Sequence, residues 1–391
     1  MSYAVNPSIS QIEAPPIAEA MTWVRPGLRN RDLLNLCQAV PSYPPAPEMQ
    51  AEIARLAGEP STSLYTGIFG IDDLRTSLAA HMAADYAGNV QAEDTAITAG
   101  CNQAFCATMM ALARAGDNVV MPVPYYFNHQ MWLGMLGVES RGIPAFTADG
   151  AYPQVAAAAA AIDDRTKAII LCSPNNPSGA IYPPEVIGAF FDLAKARGVA
   201  LIIDETYKDF RPHPAPLHGL FARADWRGTF IQLYSFSKIF AMTGYRAGSI
   251  IAGPQVMAEI EKVLDCMAIC APHISQRAAL FGLAHLDAWK SGKKAMMLAR
   301  TEALKQAFLA PALRYRLVSC GAYFAYVEHP FANETAKQVA QRLAGEHDLL
   351  CLPGTMFGQD QQRFLRIAFA NADASLMPLA VERLIESQAR L

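Results

Sequence analysis

The chain has 391 residues, enough for about two domains and a sizeable core. Hydrophobic residues make up 52% and charged residues 17%, which excludes a disordered chain. A formal net charge of -3, with no basic run, argues against a nucleic-acid partner. Residues 1–11 carry no basic stretch followed by an apolar one, so no secretory signal is expected. The run Ala156–Ala161 is too short to cross a bilayer and reads as a surface or half-buried helix, so no membrane partner is expected.

In chain order, Pro41–Pro47 reads as an extended connection from an N-terminal arm into the first helix. Thr95–Thr98 is a short strand that runs into Gly100, and Asn102–Arg114 is helical. Asn118–Met121 is a second strand, ended by Pro122 and Pro124. Lys167–Cys172 is a third, followed by Ser-Pro-Asn-Asn-Pro. Pro184–Arg197 is a helix stopped by Gly198, Val199–Asp204 a fourth strand and Phe230–Ser235 a fifth. Apolar strands that alternate with helices predict a largely parallel α/β sheet covered on both faces. Function then belongs at the carboxyl ends of the strands. The last hundred residues change character. Lys290–Ala310 is a long helix, Ala322–Glu328 and Arg363–Phe369 are strands, and Ser375–Gln388 is a final helix. This predicts a smaller α+β domain. The expected division is an arm at 1–47 joined to the small domain, a large domain at 48–283, and the small domain at 284–391. No internal repeat is found.

Four segments carry candidate chemistry. Ser235-Phe236-Ser237-Lys238 follows a buried strand, with Arg246 in Gly244-Tyr245-Arg246-Ala247-Gly248 eight positions on. A desolvated lysine loses its charge more easily and attacks an aldehyde. Nearby serines and an arginine suit a phosphate. Asp204, in Asp204-Glu205-Thr206-Tyr207, ends an apolar strand. A carboxylate there needs a cation or donors, and a protonated pyridine nitrogen fits. Tyr207 stands three positions on, placed to donate to a phenolic oxygen. Ser173-Pro174-Asn175-Asn176-Pro177-Ser178-Gly179 is a rigid loop able to aim an amide. Thr98-Ala99-Gly100-Cys101-Asn102 opens a helix, where free backbone N–H groups bind phosphate. Each has a plainer reading alone: a surface Ser-Lys pair, a helix cap, a turn, a lone glycine. The eight cysteines, at 37, 101, 106, 172, 266, 270, 320 and 351, show no CxxC pair and no zinc spacing. They point to a reducing cytoplasm and to no metal. His213 and His218 share a Pro-rich loop without a Cys or carboxylate cluster beside them.

Taken in order, Gly100, Asn176, Asp204, Tyr207, Lys238 and Arg246 resemble the cofactor site of fold-type I pyridoxal-phosphate enzymes, class I/II aminotransferases in particular. The motifs N-N-P-S-G, D-E-x-Y, S-x-S-K and G-x-R-x-G match in sequence and spacing. The likeness also covers Tyr65, Gly67, Gly70 and Leu74-Arg75, and Leu365-Arg366-Ile367 near the C-terminus. The resemblance implies a large domain with a mostly parallel sheet between helices plus a small α+β domain. It implies an enzyme that moves an amino group from an L-amino acid to a 2-oxo acid, with pyridoxal 5′-phosphate linked to Lys238 as a Schiff base. The Lys238 amine would shuttle the proton, and Asp204 would pair with the pyridinium. Tyr207 and Asn176 would bond the ring oxygen. Ser235, Ser237, Arg246 and the backbone N–H groups of Cys101 and Asn102 would hold the phosphate. Tyr126 matches the aromatic that stacks on the ring, although Tyr125 and Phe127 adjoin it and leave the choice open. Arg366 would grip the substrate carboxylate, with Asn176 beside it. Tyr65 would reach the phosphate of a neighbouring subunit, which implies a homodimer.

One departure stands out. The family's L-x-x-G-x-P segment is here Leu36-Cys37-Gln38-Ala39-Val40-Pro41, with Ala39 in place of the glycine that touches substrate. Its methyl and restricted φ predict a tighter or differently shaped entrance. The same cofactor set would serve a lyase, of the β-elimination or C–S type, or a cyclase. A non-catalytic sensing module would need an added DNA-binding domain, for which the segment before Tyr65 is too short. A nicotinamide dehydrogenase would need a GxGxxG, and there is none. Ile17, Trp23 and Tyr43 hint at an apolar or aromatic substrate side chain, or at core. Arg25, Arg29 and Arg277 are the candidates for a distal carboxylate. Donor and acceptor are not readable from sequence.

Overall fold

The computed structural model describes residues 3–25, 31–148 and 150–390; the candidate Arg29 lies outside them. Strand β1 (Leu34–Asn35) lies in the N-terminal segment. Seven strands then build one sheet: β2 (Thr95–Thr98), β3 (Asn118–Val123), β4 (Glu139–Pro144), β5 (Thr166–Cys172), β6 (Ala200–Asp204), β7 (Phe230–Ser235) and β8 (Gly248–Ile251). A second sheet uses β9 (Arg316–Gly321), β10 (Phe324–Glu328), β12 (Leu352–Pro353) and β13 (Phe364–Ala368), while β11 (Leu349–Leu350) pairs with β1.

The large sheet runs β2-β8-β7-β6-β5-β3-β4. Its strands are parallel except β8, which is antiparallel to both neighbours. Why these segments form strands is plain in the burial. Leu201 and Ile203 feed one apolar cluster, and Ile202 between them feeds the other. Side chains alternate across a strand, so a continuous apolar run makes a strand covered on both faces. Each such buried aliphatic side chain contributes about 2 kcal/mol relative to exposure. The helix Pro184–Arg197 starts with proline and ends on Gly198 at φ 64, the left-handed cap glycine accepts readily.

The expected strands and helices are found, with shifted ends. The second strand continues through Pro122 to Val123. Pairing with β5 ends at Val120, so the missing Pro122 N–H leaves no gap in that ladder. Strand β4 was not foreseen, because Glu-Ser-Arg-Gly-Ile-Pro carries no apolar pattern; it is the sheet edge, where none is demanded. Strand β1 pairs in parallel with β11, so the N-terminal segment joins the C-terminal part of the chain. From there Leu36 bridges onward: its N–H donates to Leu350 O at 2.8 Å, and its carbonyl accepts from Ala368 N at 2.8 Å. Among the described residues no helix is long and apolar enough to cross a membrane.

Candidate active site

Five strands of the large sheet deliver their following residues to one cleft of about 550 Å³, its open mouth included. It is lined by Cys101 and Asn102 after β2, Tyr126 after β3, Cys172 and Asn176 at and after the end of β5, Asp204, Thr206 and Tyr207 at and after the end of β6, and Ser235, Ser237 and Lys238 at and after the end of β7. Arg246 enters just before β8, which runs the other way and so begins at the same edge. Of the three adjoining aromatics, Tyr126 is the one in this cleft; Tyr125 and Phe127 line the next cavity.

Lys238 sits on a short helix (Phe236–Ile239) capped by the Ser235 hydroxyl, which accepts from Ser237 N. Its Nζ donates to the Ala39 carbonyl at 2.7 Å. Burial lowers the amine to about 8, and the Arg246 and Arg366 guanidinium groups add to that. Ala39 therefore meets Lys238 through its backbone carbonyl.

Asp204 is buried at the floor. Its Oδ1 accepts from Thr206 N at 3.0 Å, and His129 Nε2 lies 3.2 Å from Oδ2. Burial pushes this carboxyl up, but the His129 hydrogen bond and charge, with the Thr206 donors, outweigh it and hold it below its usual range. His129 stacks on Phe105, with ring centroids 4.0 Å apart. Sequence reasoning missed His129. Its only signal is a place three residues past Tyr126, one helical turn on, and nothing in that spacing tells of Asp204.

Arg366 lies on β13 opposite Tyr326 and is 1% exposed. Its Nη1 donates to Asn176 Oδ1 at 3.1 Å and its Nη2 to the Cys37 carbonyl. Its buried Nε has no partner. Burial pulls the group down to about 10. Among the described residues no carboxylate lies within ion-pair distance of Arg366 or of Arg246. Arg246 is exposed, but for Arg366 a buried guanidinium left that way is costly unless an anion arrives. Gly100, at φ 88, is packed so closely on Arg246 that a side chain there would collide with the guanidinium. The donor set lining the cleft thus fits a ring carrying a phosphate and an aldehyde; Arg366 is not part of that lining but touches Asn176, which is.

Several candidates fall elsewhere. Tyr65 is 76% exposed and outside the cleft. Arg25 lies beside Gly345, and Arg277 is 3.5 Å from Glu59, so neither lines it. Ile17 and Trp23 pack against a small cluster containing Phe127 and Phe357, and Tyr43 packs on Trp289. His81, Asp85 and Asp209 converge in a way that could hold a metal, but the Lys208 ammonium and Arg211 already occupy those carboxylates.

The aminotransferase class I and II family matches residues 31–384. The arginine–pyruvate transaminase AruH of Pseudomonas aeruginosa is 31% identical over 330 residues, covering 83% of this chain and 81% of that protein. The aromatic aminotransferase ISS1 of Arabidopsis thaliana is 27% identical over 358 residues, covering 90% and 88%. The solved aspartate aminotransferase of Thermus thermophilus with maleate superposes with a TM-score of 0.88 at 24% identity, covering 99% and 100%, a likeness of fold.

Proposed function

The chain belongs to the class I and II aminotransferases, enzymes dependent on pyridoxal phosphate, and from that premise we propose that Lys238 is its catalytic amine in transfer between an L-amino acid and a 2-oxo acid. When bound, the cofactor supplies an aldehyde that takes up an amino group and a ring that accepts the electron pair of the α-carbon bond. One observation carries the assignment: the Lys238 amine shares one cleft with Arg246, Asp204 and Tyr207, and among the described residues neither Arg246 nor Arg366 has a carboxylate at ion-pair distance. Arg246 takes the phosphate with Ser235, Ser237 and the N–H groups of Cys101 and Asn102. Arg366 takes the substrate α-carboxylate bidentately, steadied by Asn176. The α-carbon would thereby be held near Lys238 Nζ, which would carry a proton between it and the carbon that was the cofactor's aldehyde. Asp204, fixed by His129, faces the ring nitrogen and keeps it protonated. Tyr207 and Asn176 serve the ring oxygen, and Tyr126 covers the ring face.

In the same reading the molecule is a homodimer in which Tyr65 reaches the partner's phosphate site. Pairing of β1 with β11 supports counting residues 1–47 with 284–391 as a small domain beside 48–283. Relatives named for aspartate, aromatic amino acids, valine and arginine share the family, so the donor must be found by trial. The test is spectroscopic. Protein loaded with pyridoxal phosphate is expected to show a visible band that borohydride removes, leaving the label on the Lys238 peptide. Single amino acids that shift the band to the near ultraviolet name the donor. No band, or a label on another lysine, would refute the site.

A further inference from the structure

Asp204 and Glu205 are successive residues at the end of β6, so their side chains leave on opposite faces of the sheet. Asp204 faces the cleft. Glu205 faces the other way and is 0% exposed. Its backbone N–H donates to Leu233 O at 2.8 Å, which keeps it in the ladder. Two donors hold one oxygen of its carboxylate, Oε2, while Oε1 makes no hydrogen bond. Tyr86 O–H reaches Oε2 at 2.5 Å, and Gln232 Nε2 donates to the same oxygen. His218 Nε2 lies 3.2 Å from Oε1. His218 Nδ1 accepts from Leu220 N at 3.2 Å, so in the neutral ring the proton sits on Nε2, facing Glu205. His218 in turn stacks on Tyr86, centroids 4.6 Å apart.

The arrangement repeats the one in front. Each carboxylate has its own histidine at 3.2 Å, and each histidine lies on an aromatic ring. Only one pair lines the cleft. The field of the rear carboxylate nevertheless reaches it. Burial pushes the Cys172 thiol up, and the charges of Asp204 and then Glu205 add to it; Cys172 is a wall of the cleft. A buried carboxylate with two donors on one oxygen and none on the other costs desolvation at a place where an apolar residue would pack. That cost has a return if the charge or the anchoring matters to Asp204.

We propose that Glu205 is a positioning residue for Asp204: its hydrogen bonds to Tyr86 and Gln232, with His218 beside it, fix the end of β6 and set a second negative charge behind the ring nitrogen. The inference rests on the reading that Asp204 faces that nitrogen. It also gives a role to His218 and to the Pro-rich loop that carries it, which ties the loop to the back of the site.

The test uses holoenzyme loaded with pyridoxal phosphate labelled with 15N in the ring. Glu205→Gln preserves shape and removes the charge. We expect the nitrogen resonance to move toward that of neutral pyridine and kcat to fall about tenfold, with KM for the amino acid within about twofold. Tyr86→Phe and Gln232→Leu each remove one donor and should move the resonance the same way by less; they also serve if Glu205→Gln fails to fold. A folded variant that is less stable but keeps the wild-type resonance and kcat would reduce Glu205 to a packing element and overturn the proposal. Asp204→Asn separates the two ideas. If it moves the resonance and none of the others does, only the role of Glu205 is lost. If Asp204→Asn itself leaves the resonance in place, the ring does not lie over Asp204, and the reading beneath the proposal fails first.

Discussion

Lys238 has a usual value of 10.5 and is lowered to about 8, by burial first and then by Arg246 and Arg366. The neutral amine is the nucleophile, so its fraction rises as pH passes through about 8 and levels above. Cofactor uptake by cofactor-free protein should follow that curve in stopped-flow absorbance. A midpoint near 10.5 would contradict a desolvated amine. Arg366 makes a second test at this scale. Arg366→Lys keeps a charge but loses the fork that reads a carboxylate. Its kcat/KM should fall by about 10- to 100-fold, mostly through KM, on the scale of a lost bidentate pair. Lys238, Asp204 and Arg366 were legible because a charged residue at an apolar strand is improbable without a task. His129 was not legible, because it meets Asp204 only through the packing of a helix (Phe127–Leu136) on the sheet.

The turn after β6 shows how an element supports such residues. Lys208 is fully buried, 2.6 Å from Asp85 and 3.0 Å from Asp209. Arg211 also binds Asp85 at 2.6 Å, and Tyr234 O–H donates to Asp209 at 2.7 Å. The helix Asp72–Asp85 is thereby bolted to the segment that carries Asp204 and Tyr207. Breaking a buried network by removing one partner costs about 3–5 kcal/mol. Lys208→Met should lose that much in urea unfolding; a loss under about 1 kcal/mol would mean the network is solvated. A second fastening is made of backbone alone. A side chain on Gly179 would strike the Gly321 and Phe324 carbonyls, so the Asn176 loop lies directly on the turn joining β9 and β10. The turn glycine was legible as a turn, but not its contact with a hairpin some 140 residues away in sequence.

At the scale of the molecule, one copy leaves apolar surface uncovered. Leu64, Tyr65, Met267 and Ile269 are 66%, 76%, 41% and 39% exposed. The two segments adjoin, since Thr66 N donates to Cys270 Sγ at 3.4 Å and Gln276 Nε2 to Thr66 Oγ1 at 3.1 Å. A patch of this kind is a normal protein–protein contact. Light scattering should report two chains. Mixing Tyr65→Ala with Lys238→Ala protein, after dissociation and reassociation, should restore activity that neither has at full strength. In the hybrid, one site has an intact Lys238 and receives an intact Tyr65 from across the contact. No recovery in a verified hybrid would mean that Tyr65 serves its own subunit or none.

What the sequence determined by itself is local or periodic. Apolar runs and their turns specify the strands, and strand ends place Asp204, Lys238 and Asn176 at one edge. Their order and spacing carry the family likeness, because the fold brings residues in that order to one edge of the sheet. Tertiary structure alone decided the partnerships. It brought the carbonyls of Cys37 and Ala39 onto Arg366 and Lys238, set His129 on Asp204, and hid Glu205 behind it. Each joins residues remote along the chain through packing of one element on another. No local pattern encodes such a contact, since its energy depends on where both elements come to rest.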